Sequence, residues 1–199
     1  MMKTWKYNLP GIPDEEFIRN DTPMTKFEIR SVIMAKLQPG PEDIIFDIGA
    51  GTGSITVEAA LASDKGQVYA LERSSGAVEV LKENITKFDL NNVEVIPGQA
   101  PGKLKNLKKA DRIFVGGSGG KLIEILDLSL KKLKPGGILV MTAVTLNTLT
   151  EASQYFNKND LNIDIISLAV NRLETKGSYQ MFAPLRPVFI IKYQNRRGE

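Results

Sequence analysis

Asp47-Ile48-Gly49-Ala50-Gly51-Thr52-Gly53 sets a carboxylate and three glycines between the apolar runs Ile44-Ile45-Phe46 and Ile55-Thr56-Val57-Glu58-Ala59-Ala60-Leu61. A glycine-rich turn between a buried strand and a helix lets a ligand approach bare backbone and meet the positive end of the helix dipole. Two nucleotide-type cofactors suit such a turn, a dinucleotide or S-adenosylmethionine. Glu72 closes the next apolar run, roughly 20 residues past the glycines, where a carboxylate can take both hydroxyls of a ribose. Gly98-Gln99-Ala100-Pro101 and Gly116-Gly117-Ser118-Gly119-Gly120 are two further turns built on small residues. The second makes a concave run of exposed N–H groups suited to carboxylates. Each feature also has a plainer reading, as a tight turn, a solvated strand end, ordinary Gly and Pro punctuation or a flexible linker.

Absences narrow the chemistry further. With no cysteine, disulfides, thiolate metal sites and covalent thiol catalysis are excluded. With no histidine, the commonest general base and zinc ligand are missing as well. The chemistry must run on carboxylates, hydroxyls, backbone dipoles and a cofactor, and no metal held by the protein is indicated.

These residues need a scaffold, and 199 residues with 42% apolar content suffice for one domain with a sizeable core. Twenty-six basic and 23 acidic residues give a net charge of +3, too mild to demand nucleic acid and equally suited to a polyanionic small molecule. The apolar stretches are short and interrupted by charge, so nothing is expected to span a membrane. The opening Met1-Met2-Lys3-Thr4-Trp5-Lys6-Tyr7 lacks the apolar segment of a secretory signal, and a cytoplasmic location is expected.

Periodicity predicts helices over Thr25 to Leu37, Ser54 to Ala62, Ser75 to Phe88, Lys121 to Leu133 and Asn147 to Asn157. It predicts strands over Ile44 to Ile48, Gln67 to Leu71, Val93 to Ile96, Arg112 to Val115 and Ile138 to Ala143. The alternation implies an α/β fold, a mostly parallel sheet with helices on both faces. Ile163 to Val170 and Pro187 to Tyr193, joined by a loop, suggest an antiparallel hairpin at the sheet edge. Residues 1–22 read as an extended arm, and 23–199 as a single domain.

The position of the third glycine favours one cofactor. A dinucleotide fingerprint wants G-x-G-x-x-G, whereas here Ser54 holds the third position and the glycine falls one residue early, at Gly53. The Asp-x-Gly-x-Gly-x-Gly pattern resembles the first motif of class I S-adenosylmethionine-dependent methyltransferases, a Rossmann-like fold with a seven-stranded sheet. Enzymes that methylate C5 of pyrimidines attack with a cysteine, absent here. Those that methylate exocyclic amines carry an Asn/Asp-Pro-Pro-Tyr-like tetrad where this chain has glycines and Ser118. A tRNA adenine-N1 methyltransferase remains a rival, disfavoured by the mild charge and by the lack of a basic stripe studded with aromatics. A non-catalytic subunit that senses S-adenosylmethionine is a rival of another class.

Gly11-Ile12-Pro13-Asp14-Glu15-Glu16-Phe17 and Thr25-Lys26-Phe27-Glu28-Ile29-Arg30 are similar to the opening of the CbiT family. The three glycine turns continue the match in order, followed by Leu133-Lys134-Pro135-Gly136-Gly137 and Val140-Met141-Thr142-Ala143-Val144. The resemblance covers roughly Gly11 to Tyr193. It implies a decarboxylating cobalt-precorrin-6B C15-methyltransferase of anaerobic cobalamin synthesis, and a homotetramer. It also implies cofactor binding by Thr25, Gly49, Ala50, Gly51, Thr52, Gly53, Glu72 and Ala100, and Asp47, Arg73 and Gln99 are expected beside them in the cofactor site. Gln99 departs from the Asp common in the family, and Glu72 stands where relatives often have Asp. The Gln99 amide oxygen still accepts a hydrogen bond.

For a tetrapyrrole rich in acetates and propionates, Gly116, Gly117, Ser118, Gly119 and Gly120 are the expected substrate loop. Arg19, Arg30, Lys121, Arg172 and Arg186 are candidate cationic partners, though for each a solvated surface role competes. In-line methyl transfer requires alignment above all. The electron-rich macrocycle supplies the nucleophile and can act as electron sink for decarboxylation. No residue is assigned as catalytic acid or base, and cobalt is expected in the substrate only.

Overall fold

The computed structural model describes residues 11–196, so the first ten residues of the expected arm and the last three of the chain lie outside the described residues. Five strands alternate with helices: β1 (Ile44–Ile48), β2 (Gln67–Glu72), β3 (Val93–Pro97), β4 (Ala110–Val115) and β5 (Leu133–Ala143). The helices are α1 (Phe27–Leu37), α2 (Ser54–Ala62), α3 (Ser75–Lys87), α4 (Leu122–Lys132) and α5 (Leu146–Lys158). The tail adds β6 (Ile163–Leu168), β7 (Asn171–Lys176), β8 (Tyr179–Pro184) and β9 (Val188–Gln194). Seven strands form one sheet in the order β3-β2-β1-β4-β5-β9-β6, with β9 antiparallel to both β5 and β6 and the other pairs parallel.

Successive side chains of a strand point to opposite faces, and β1 shows what that does here. Phe46 and Ile48 enter one core with Ile113, Val115, Leu126 and Phe156, while Ile45 enters the other with Ile33, Leu37, Phe114 and Val140. Asp47 thus points to the α1–α2 face, fully buried. The strand order reverses between β1 and β4, and it is outside the carboxyl ends of strands at such a point that open α/β sheets bind ligands.

Three expectations are corrected. Helix α1 starts at Phe27 rather than Thr25, because Lys26 is extended and the Thr25 carbonyl is claimed by the Arg30 guanidinium. Helix α4 ends at Lys132 rather than Leu133, and β5 begins at Leu133 rather than Ile138. The Gly136 N–H donates to the Asn195 carbonyl and the Asn195 N–H to that of Gly137, so the segment is carried within the sheet. The stretch after Val170, expected as a loop, holds the separate β7–β8 hairpin, whose strands are almost wholly exposed and so carry no two-residue alternation of apolar side chains. The antiparallel pair expected at the sheet edge is present as β6–β9, with β9 against β5 and β6 outermost.

Candidate active site

A cavity of about 930 Å³ opens at the carboxyl ends of the central strands. Its inner wall is the turn after β1. Gly49, Gly51 and Gly53 have φ of +78°, +57° and +81°, a left-handed backbone that side chains resist. At Gly49 there is a second reason, since a Cβ there would stand 2.9 Å from the Gly117 nitrogen. Gly53 serves packing instead: a Cβ would overlap the Leu81 side chain of α3, and Gly53 does not line the cavity.

The turn brings bare backbone to the cavity at Gly49 and Gly51, but several of its N–H groups are already taken within the fold. The N–H groups of Gly49 and Ala50 both donate to the Leu71 carbonyl, that of Gly51 to Glu72 Oε2, and that of Gly53 to the Ala50 carbonyl. Beside it stands carboxylate. Glu72 ends β2 and lines the cavity, its Oε1 accepting the N–H groups of Arg73 and Ser74 at 2.8 Å and its Oε2 that of Gly51 at 2.9 Å. Asp47 Oδ2 accepts the Thr56 hydroxyl at 2.5 Å, whereas Oδ1 has no partner among the described residues. Burial pushes the Asp47 carboxyl up to about 7, opposed by the Thr56 hydrogen bond and assisted by the negative charge of Glu72.

Thr25, Asp47, Gly49, Ala50, Gly51, Thr52, Glu72, Arg73, Gln99 and Ala100 are brought together around this cavity. Gly116, Gly117, Ser118 and Gly119 line it too, whereas Gly120 does not. The N–H groups of Gly116 and Gly117 are spent on the Ile48 carbonyl, but no described residue accepts from Ser118, Gly119 or Gly120. Of the five candidate cations only Arg186 lines the cavity. Arg19 and Lys121 are exposed elsewhere, and Arg172 pairs with Glu28 at 2.6 Å and with Asp14 at 3.6 Å.

Arg30 is not available to a substrate. It is fully buried, its Nε donating to Glu58 at 2.7 Å, its other nitrogens to Asp14 and to the carbonyls of Thr25 and Ile12. This cluster and Asn84 fasten the segment preceding α1 across the turn. Asn84 takes the Ile18 N–H and donates to the carbonyls of Ile18 and Thr52. Residues Asn20 to Met24 thereby wall the cavity, and the Pro23 carbonyl would lie 3.3 Å from a Cβ on Gly51. Sequence reasoning missed this wall, along with Thr56 and Asn84. The available signal was Glu58 in an otherwise apolar helix, a buried charge that requires a cation.

The model of the precorrin methyltransferase domain matches residues 16–195. The chain belongs to the precorrin methyltransferase family. Among its relatives, the probable cobalt-precorrin-6B C(15)-methyltransferase (decarboxylating) of Sulfurisphaera tokodaii is 44% identical over 187 residues, covering 92% of this chain and 96% of that protein. The solved precorrin-6y C5,15-methyltransferase of Geobacter metallireducens superposes with a TM-score of 0.88 at 35% identity, over 94% of this chain and 98% of that one. Precorrin 8w decarboxylase of Methanobacterium thermoautotrophicum gives a TM-score of 0.85 at 36% identity, over 92% and 98%. Residues from the three glycine turns, from the end of β2 and from the segment before α1 thus line one cavity.

Proposed function

We propose that the protein transfers a methyl group from S-adenosylmethionine to C15 of cobalt-precorrin-6B, with loss of carbon dioxide from the C12 acetate. The observation that carries this reading is one cavity joining Asp47 and Glu72 to the glycine-serine loop after β4, in a chain whose relatives, matched over nearly all their length, bear that name.

The residues fit such a cofactor. Glu72 sits at the strand end with an oxygen, Oε2, that accepts only one N–H and has room for a hydroxyl donor. The unpartnered Asp47 Oδ1 suits the cationic portion of the molecule. Gln99 and Ala100 after β3 would flank the adenine, and Thr25 and Thr52 would close the pocket. When bound, S-adenosylmethionine supplies an electrophilic methyl group on a sulfonium centre. Leu71, Phe114 and Ile125 give the same cavity apolar walls. Gly116 to Gly119 would orient the acceptor, whose own macrocycle supplies both the nucleophilic carbon and the electron sink. No protein base is needed for the displacement.

The oligomer expected from the family resemblance has a candidate surface in the β7–β8 hairpin, where Leu173, Tyr179, Met181 and Phe182 are exposed. Among the described residues no helix is long and apolar enough to cross a membrane, and the cytoplasm is the proposed location.

The test is incubation with methyl-labelled cofactor and cobalt-precorrin-6B, followed by mass measurement of the tetrapyrrole. Gain of the labelled methyl together with loss of carbon dioxide is expected. Cofactor binding without turnover would favour a sensing subunit, and labelling of RNA in place of the tetrapyrrole would favour the tRNA reading.

A further inference from the structure

The charges lining the cavity are segregated. Asp47 and Glu72 are both buried at its inner wall. Of its lining cations, Lys26 lies 3.9 Å from Asp14. Arg73 and Arg186 have no carboxylate or carbonyl partner among the described residues, and both are exposed at the mouth. An arginine left without a partner beside a cavity keeps a full set of donors for a carboxylate ligand.

Their places in the fold are far apart. Arg73 follows β2 and Arg186 precedes β9, which are separated by four strand spacings in the sheet. At about 4.8 Å each, those spacings span about 19 Å. Between them lies the loop after β4, with the N–H groups of Ser118, Gly119 and Gly120 not taken by any described acceptor. Arg73 reaches toward that loop, since a Cβ on Gly119 would stand 2.9 Å from its Nη1. The surface around Arg186 is apolar: Val144, 65% exposed, with Leu185 and Val188. A mouth with apolar walls and cations at two distant points fits a broad, flat, apolar ring with carboxylates on its periphery.

We propose that Arg73 and Arg186 form a two-point clamp for peripheral carboxylates of the acceptor, with Val144, Leu185 and Val188 receiving its ring. Arg73 is thereby moved from the cofactor to the acceptor. This rests on the methyltransferase reading above and adds the residues that select a polycarboxylate.

Arg73→Gln and Arg186→Gln are tested by acceptor KM and kcat, and by calorimetric cofactor affinity, with cobalt-precorrin-6B and with its peripheral carboxylates converted to methyl esters. Each substitution is expected to raise KM for the acid about 10- to 100-fold, with a smaller change in kcat. Cofactor affinity should stay constant, and Arg186→Lys should recover part of the loss. The ester should bind wild type weakly and the variants no worse. An unchanged KM for the acid in both variants overturns the clamp, as does a loss confined to cofactor affinity. If wild type turns over neither acid nor ester, the methyltransferase assignment fails instead, and the clamp fails with it.

Discussion

The Gly51 N–H donates to Glu72 Oε2 at 2.9 Å, tying the turn after β1 to the end of β2. The carboxylate expected to hold the ribose therefore also braces the backbone that must approach the cofactor. Glu72→Ala is expected to lower S-adenosylmethionine affinity at least about tenfold, as loss of a charged hydrogen-bonding partner does. It also strips an acceptor from the N–H groups of Gly51, Arg73 and Ser74, and stability should fall by about 1–3 kcal/mol. Calorimetry and urea unfolding measure the two effects, and an unchanged cofactor affinity would remove Glu72 from the site.

Asp47 makes stability depend on pH in a definite direction. Its folded pKa, about 7, lies above the ordinary value of 3.8, so between these the native state holds a proton the unfolded chain has released. This group's contribution to stability is complete below pH 3.8, declines as pH rises through that window and levels off above about 7. Asp47→Asn should flatten that decline, as seen by urea unfolding at pH 5 and pH 8. A cation seated against Oδ1 favours the ionised form, so cofactor binding at pH 6 should release a proton, visible as buffer-dependent heats.

Arg30 should dominate local stability. Its loss strands Glu58 and Asp14, one of them fully enclosed, and frees the Thr25 carbonyl. Arg30→Met is expected to cost about 3–5 kcal/mol, the range for breaking a buried ion pair from one side. A loss under about 1 kcal/mol in denaturant titration would show that Arg30 is not holding the segment before α1.

Two glycines that face each other should respond differently. Gly49→Ala would force a side chain at φ +78° to within 2.9 Å of the Gly117 nitrogen, and should lower both stability and cofactor affinity. Gly117 lacks a left-handed φ, and a Cβ placed on it would meet nothing within 4 Å, so Gly117→Val should fold normally. Its added bulk enters the cavity and should raise acceptor KM more than cofactor Kd. Loss of cofactor binding alone in the Gly117 variant would place that loop at the cofactor instead.

Residue order alone determined the parallel sheet, because the buried strands β1, β2 and β4 read as apolar runs and the glycine turns punctuate them. Periodicity is a local property, so it survives in one dimension. Glu72 and the Gly116 to Gly120 loop could be picked out for the same reason, each lying at the end of such a run. Tertiary structure decided the rest. Whether the N–H groups of the first turn are free depends on Leu71 and Glu72, more than 20 residues away in the chain. Arg30 and Arg186 are equally plausible cations in one dimension. Three dimensions enclose Arg30 with Glu58 and Asp14 and leave Arg186 open at the cavity, because burial and pairing are set by which distant segments pack together. The β7–β8 hairpin was hidden for the opposite reason: with no buried face of its own, it leaves no apolar rhythm to read.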